Sequence, residues 1–346
     1  MEFEREVGGE RMKKGPKKRS LLSLGLVILL AACGGGETTT DTKDGTNAGT
    51  SEGEKTFKVG ITQIVEHPSL DEATEGFKAA LKEAGLEVEF VEENAQNDPS
   101  MNTTIAQNLV NDGVDLIFAN STPSAQAVKG ATSDIPIIFT SVTDAVGAEL
   151  IDSMESPGGN VTGTVDLHPD TIANTVAFLK DELGAKKVGT VYNTGEQNSV
   201  AQVEQMKTLL EEAGLELVEA AVSTSAEVKQ ATESLVGKVD SLYIITDNTV
   251  VSALESVIDV ANSNQLPAMV GELDSVARGG LGAYGFEYYD IGYEAGEMAV
   301  KILNGEATPS EIPAAYPGNL KLLINKSTAE TLNLEIKDSW NAEIYE

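Results

Sequence analysis

Much of the chemistry legible in this 346-residue chain lies in short polar runs that follow apolar, β-branched segments. In the first half these runs are Gln63 with Glu66 and His67, then Asn94 to Gln96, Asn120-Ser121-Thr122-Pro123 and Thr140-Ser141-Val142-Thr143-Asp144. In the second half they are Tyr192-Asn193 with Asn198-Ser199, then Ser223-Thr224-Ser225, Thr246-Asp247-Asn248 and Gly271-Glu272. Hydroxyls and amides just ahead of a helix sit among free backbone N–H groups at the positive end of its dipole, so Ser121 and Thr122 suit a carboxylate. The same residues also read as a helix cap with proline in the first turn. Asp247, beside Asn248, could pair with an ammonium or cap the helix that follows it. Taken together, the two groups of residues suit a zwitterion whose charges are neutralised from opposite sides.

Nucleophilic and metal chemistry find little support. No G-x-S-x-G turn occurs, and His67 and His168, the only two histidines, are too isolated to build a nucleophile and base pair, which argues against a hydrolase. No D-x-D-x-D-G loop is present, so neither a metal nor any other cofactor is expected. Aromatic residues make up only 5% of the chain, which makes Tyr192 and the cluster Tyr284, Phe286, Tyr288 and Tyr289 conspicuous. Any of these five, Tyr192 and Phe286 foremost, is a candidate for a stacked wall around an apolar ligand group, although core packing is the commoner use. The formal charge is −31, and −34 without residues 1–32, which argues against nucleic acid and anionic headgroups as partners.

The elements that must position these residues alternate regularly. Strands are predicted over 57–62, 87–92, 116–119 and 135–140, with helices over 70–84, 101–111 and 125–131 between them. After an extended Gly-flanked segment near 160–164, a second series begins. Its helices fall over 171–183, 200–213, 226–235 and 250–263, and its strands over 187–192, 215–221, 241–245 and 268–271. Strands alternating with helices of this length imply parallel α/β sheets, whose ligands sit beyond the carboxyl ends of the strands. The two series repeat each other: the helix-Gly-strand passage from Phe77 recurs in form from Met206. Two Rossmann-like lobes follow, one from 56–163 plus 286–318 and one from 164–285 plus 319–346. Their three crossings, near 163–168, 284–289 and 318–326, would form a three-segment hinge.

Upstream, Lys13, Lys14, Lys17, Lys18 and Arg19 precede the apolar run 21–30 and the small residues Ala31 and Ala32, the three parts of a secretory signal. Its twelve apolar and small residues are too few to span a bilayer. Residues 1–32 therefore read as a signal peptide, and the acidic residues before Met12 suggest that translation starts there. Leu30-Ala31-Ala32-Cys33 closely resembles the cleavage site of bacterial lipoproteins, and that resemblance implies an acylated Cys33, with palmitate among its chains, as the mature N-terminus. Residues 33–55, rich in Gly, Thr, Asp and Ser, read as a flexible tether on the outer face of the cytoplasmic membrane.

Several motifs in order carry a wider resemblance: 62–71 (Thr-Gln-Ile-Val-Glu-His-Pro-Ser-Leu-Asp), Asn94-Ala95-Gln96, 140–147, Gly158-Gly159-Asn160-Val161-Thr162-Gly163 and 246–250. Across about 57–325 the chain resembles the ABC-transporter substrate-binding lipoproteins of the tryptophan/tyrosine-binding type. It departs from their pattern at Asp144-Ala145, where Asp-Pro is expected. The resemblance implies a type I periplasmic-binding-protein fold and a monomer without enzymatic activity. Such a receptor would capture a small ligand, an aromatic amino acid by the resemblance, and deliver it to an ABC permease with a separate cytoplasmic ATPase. By similarity to the broader class of amino-acid receptors, Ser121, Thr122, Ser141 and Thr143 would hold the ligand carboxylate and Asp247 its ammonium. Gln63, Glu66, Tyr192, Asn198, Asn248 and Phe286 complete the candidate set. A nucleoside or sugar is the alternative ligand.

Overall fold

The computed structural model describes residues 55–346; the signal segment, Cys33 and nearly all of the tether lie outside the described residues. Two sheets organise the chain. The first contains β1 (Phe57–Gln63), β2 (Val88–Asn94), β3 (Leu116–Asn120), β4 (Ile137–Val142) and β5 (Val161–Val165), all parallel in the order β2-β1-β3-β4-β5. Helices α1 (Pro68–Glu83), α2 (Pro99–Asn111) and α3 (Thr122–Ala131) connect its strands.

Strand residues alternate between two cores, as the period of two requires. Ile117, Ala119, Ile137 and Phe139 face one side with Leu109 and Val128. Leu116, Phe118 and Ile138 face the other with Phe77 and Leu81 of α1. Burial on both faces explains why β3 and β4 are almost continuously apolar. The Phe77 and Phe118 rings stack 3.9 Å apart, fastening α1 to the middle of the sheet.

The second lobe repeats the plan. After α4 (Thr171–Asp181) come β6 (Lys187–Asn193), α5 (Gln197–Ala213), β7 (Glu216–Val222), α6 (Val228–Leu235) and β8 (Ser241–Ile244). Two helices follow, α7 (Asn248–Val251) and α8 (Leu254–Ser263), then β9 (Ala268–Val270), α9 (Leu273–Ala277) and β10 (Gly282–Gly285). The parallel order β7-β6-β8-β9-β10 matches the first sheet strand for strand. Helix α10 (Tyr288–Leu303) then packs on α1 in the first lobe, before β11 (Lys321–Asn325), α11 (Lys326–Thr331) and β12 (Glu343–Tyr345). β11 joins β10 antiparallel, and β12 pairs parallel with β11. The repeated glycines after the matched helices, Gly85 and Gly214, both take left-handed backbone (φ 75° and 76°) and terminate the helices.

The chain passes between sheets over 166–170, 286–287 and 316–320. The first passage follows Val165, because Val161 and Val165 still pair with β4, two residues beyond the boundary expected at Gly163. The single helix expected over 250–263 is two, separated at Ser252-Ala253. Asp144, without the proline expected after it, still organises its loop: its Oδ1 accepts from Gly147 N at 2.8 Å, and Ala145 is buried.

Candidate functional site

Three hydrogen bonds close one lobe on the other. Ser69 Oγ donates to Asp274 Oδ2 at 2.8 Å, Asn97 Nδ2 to Thr249 Oγ1 at 2.8 Å, and Gln202 Nε2 to Thr143 Oγ1 at 3.4 Å. Between the lobes lies a small cavity at the carboxyl ends of the strands. The first lobe contributes His67 and Leu70 from the start of α1, Ser141 from β4, and Tyr288 from the start of α10. Asp166, on the first crossing, also lines it, with Asn198, Asp247 and Glu272 from the second lobe.

The charge of the lining is one-sided. Asp166, Asp247 and Glu272 are all buried, and none of the residues lining the cavity is a lysine or arginine. Asp166 accepts from the hydroxyls of Thr143 and Tyr288, each at 3.0 Å, yet burial still raises its carboxyl to about 6. Asp247 accepts from the Asn193 and Val250 amides at 2.6 and 2.8 Å; burial, followed by the nearby Glu196, pushes it up to about 7. Burial also raises Glu272, against the hydrogen bond it accepts from Ser275 Oγ at 2.6 Å. The His67 imidazole goes down to about 4, chiefly through burial and then through Arg278, so it is neutral at pH 7.

Three polar atoms of this lining are buried and have no partner in the protein: His67 Nδ1, Ser141 Oγ and Asn198 Oδ1. Burying such atoms costs about 1–3 kcal/mol each unless something in the cavity pairs with them. Ser141 additionally holds left-handed backbone (φ 54°) inside β4, next to a shift of register against β5. Such strain persists where the surroundings enforce it, and here it falls on a residue that lines the cavity.

Of the residues picked from the sequence, Ser141, Asn198, Asp247 and Asn248 come together around the cavity. Thr143 stands just behind it, holding Asp166. The others do not line it. Gln63 points into the first lobe, where its Nε2 donates to Asp71 Oδ1 at 2.7 Å and to Val65 O at 2.9 Å. Glu66 is exposed. Ser121 caps α3 through Ser124 N, and Thr122 is buried in the first turn of that helix. The Tyr192 hydroxyl donates to Glu219 Oε2 on the neighbouring strand β7. Phe286 stacks behind Tyr288 with centroids 5.5 Å apart, so Tyr288 presents the aromatic face to the cavity.

Tyr288, from the conspicuous aromatic cluster, lines the cavity, and Asp166, Leu70 and Val251 join it without having been singled out for it. An acid on a predicted crossing was all that the sequence offered for Asp166.

Two similarly wound α/β lobes with a polar cavity at their facing strand ends define a bilobal solute receptor. The chain belongs to the family of ABC transporter substrate-binding proteins, which it matches over residues 58–344. Its fold is that of the type I periplasmic binding proteins, and the family binds solutes rather than transforming them. It is 42% identical over 337 residues to a tyrosine-binding protein of Clostridioides difficile, covering 94% of each chain. Among solved structures, an ABC domain from Streptococcus pneumoniae in complex with L-Trp is 32% identical with a TM-score of 0.80, over 84% of this chain and all of that one. The ligand-free, open structure of a Clostridium difficile substrate-binding protein with adhesive properties is 41% identical, over 84% and 99% of the two chains, yet superposes at 0.64. The more similar sequence, that of the open structure, gives the poorer superposition.

Proposed function

We propose that this chain is the extracytoplasmic receptor of an ABC importer, lipidated at Cys33, and that it captures an aromatic amino acid as a zwitterion in the interlobe cavity. The observation that carries this reading is the cluster of three buried carboxylates, Asp166, Asp247 and Glu272, around a void with no cationic side chain in its lining. Buried charges need partners, so the occupant must bring a positive one. An α-ammonium supplies it. Asp166 and Glu272 are its leading acceptors, because only neutral hydroxyls satisfy those carboxylates.

Ser141 Oγ, buried without a partner in the protein and on a residue that lines the cavity, supports a role in receiving the ligand carboxylate. Leu70, Val251 and the Tyr288 ring offer an apolar and aromatic wall for a side chain. A neutral sugar or nucleoside would leave the acids uncompensated. The relatives named for tyrosine and solved with L-Trp point the same way.

Calorimetric titration of the purified protein with L-Trp, L-Tyr, L-Phe, L-Leu and a nucleoside tests the ligand. Binding confined to the nucleoside, or to nothing in the panel, removes the amino-acid reading. A Cys33→Ala protein should bind ligand normally and fail in cellular uptake; retained uptake would remove the anchor from the proposal.

A further inference from the structure

Glu196, the cap residue of α5, is a buried acid that is not among the residues lining the small cavity, yet it gathers hydrogen bonds from two consecutive residues that follow Asp247. Its Oε2 accepts from Asn248 Nδ2 at 2.6 Å and Asn248 N at 3.3 Å, and its Oε1 accepts from Thr249 Oγ1 at 2.7 Å and Thr249 N at 3.2 Å. Both the backbone and the side chains of the first turn of α7 are therefore held by one carboxylate. That turn has two duties. Asp247, Asn248 and Val251 line the cavity, whereas Thr249, between them, meets the first lobe.

A hydroxyl has one proton, and that of Thr249 is committed to Glu196. Its oxygen is left to accept, and it takes Asn97 Nδ2 of the first lobe at 2.8 Å and Asn193 Nδ2 at 2.9 Å. Donation to a carboxylate polarises the hydroxyl and makes its oxygen the stronger acceptor. The partner in the first lobe is placed in advance. Gln96 and Asn97 both hold left-handed backbone (φ 52° and 60°), and their loop is tied by Asn97 N to Ile64 O and by Gln96 N to Asn94 Oδ1, each at 2.7 Å. Such strain persists only where the surroundings enforce it, and a loop so held loses little freedom when it makes its contact.

We infer that Glu196 is a positioning residue that ties capture to closure: the carboxylate that holds the α7 wall of the cavity also holds the Thr249 hydroxyl to which Asn97 fastens the first lobe. This rests on the reading of the interlobe cavity as the capture site and adds how the state of its wall is passed to the lobe contact. Disturbing Glu196 loosens the wall and the fastening together, whereas removing Asn97 loosens the fastening alone.

The test follows the purified protein with L-Trp and L-Tyr, taking affinity from calorimetry and the rate of ligand loss from rapid dilution of the complex. Asn97→Ala should lose ligand about three- to tenfold faster, with an unchanged association rate and an unchanged melting temperature without ligand. Glu196→Gln keeps the size but leaves a single acceptor oxygen, and should lose ligand about tenfold faster or more. Adding Asn97→Ala to it should then change the rate by less than about twofold, because the acceptor for Asn97 is already displaced. Thr249→Val supplies the same background should Glu196→Gln fail to fold, and Thr249→Ser should restore the wild-type rate. A wild-type rate of loss in Asn97→Ala would overturn the inference. So would a full, independent effect of Asn97→Ala in the Glu196→Gln or Thr249→Val background, or a Glu196→Gln protein that melts earlier but releases ligand at the wild-type rate. Wild-type protein that binds neither amino acid would bring down the capture reading and this inference with it, an outcome seen before any variant is compared.

Discussion

Asp166 has opposed effects on the empty and the loaded receptor. Its buried carboxyl is held at about 6, above the ordinary carboxylate range, so ionising it at neutral pH costs the empty closed protein free energy. A ligand ammonium converts that cost into a buried ion pair. Asp166→Asn should therefore weaken amino-acid binding by roughly 30- to 1,000-fold, the range for truncating one partner of a buried charge pair. The same change should leave the melting temperature of the empty protein at pH 8 unchanged or a few degrees higher. Calorimetry and thermal denaturation read the two arms separately; a fall in both would mean that Asp166 acts as a structural residue through Thr143 and Tyr288. The sequence could not single out Asp166, because it lies on a crossing whose surroundings come from both lobes. Ser121 and Thr122 were ambiguous for another reason: the geometry that caps a helix is also the geometry that binds an anion, and here Ser121 is used on Ser124. Asp247 shows that both can hold for one residue, since it caps α7 and lines the cavity.

Helices α1 and α10 carry His67 and Tyr288 into the site from one tightly packed pair, and glycines make the packing possible. A Cβ on Gly292 would fall on the Ala73 carbonyl, and one on Gly76 on the Tyr289 carbonyl. Both obstacles are backbone, so the helices would have to separate. Gly292→Ala should destabilise the protein by about 1–3 kcal/mol, seen as a loss of several degrees in melting temperature, and should also weaken ligand binding by displacing Tyr288. An unchanged melting temperature would show that the helices can move apart freely. At this scale much of the fold was legible. The duplicated helix-Gly-strand passage foretold two similarly built lobes, because periodicity and glycine stops act locally. The break between α7 and α8 was not, since 250–263 is continuous in pattern with no Gly or Pro. Asp247 and Glu196 instead hold the first turn through hydrogen bonds to Val250 N, Asn248 Nδ2 and Thr249 Oγ1. Strand β12 was missed because its three residues are exposed and lack alternation.

For the molecule as a whole, closure, charge and proton binding are one linked process. Asp166 and Asp247, at about 6 and about 7, and Glu272, also raised, hold protons more tightly in the empty closed form than in an unfolded chain. Their contribution to its stability is present below their ordinary values and lost as pH rises through those raised values. His67 has the opposite sign: its depressed value of about 4 makes burial progressively less favourable as pH falls from 6.5 toward 4. His67 faces Arg278 and Asp274 across the interface and Asp71 on its own helix, and Arg278 adds to the cost of protonating it. An ammonium in the cavity requires the acids ionised, and closure requires His67 neutral, so both demands disfavour binding in acid. Affinity for an amino acid, itself a zwitterion throughout this window, should therefore rise by about tenfold or more between pH 5 and pH 8. Binding near pH 6 should release protons, measurable by calorimetry in buffers of different ionisation enthalpy. Uptake of protons, or an affinity flat from pH 5 to 8, would mean that the ligand's positive charge is not matched by these carboxylates. In Asp166→Asn the rise with pH should shrink, because one of the acids that must ionise is gone.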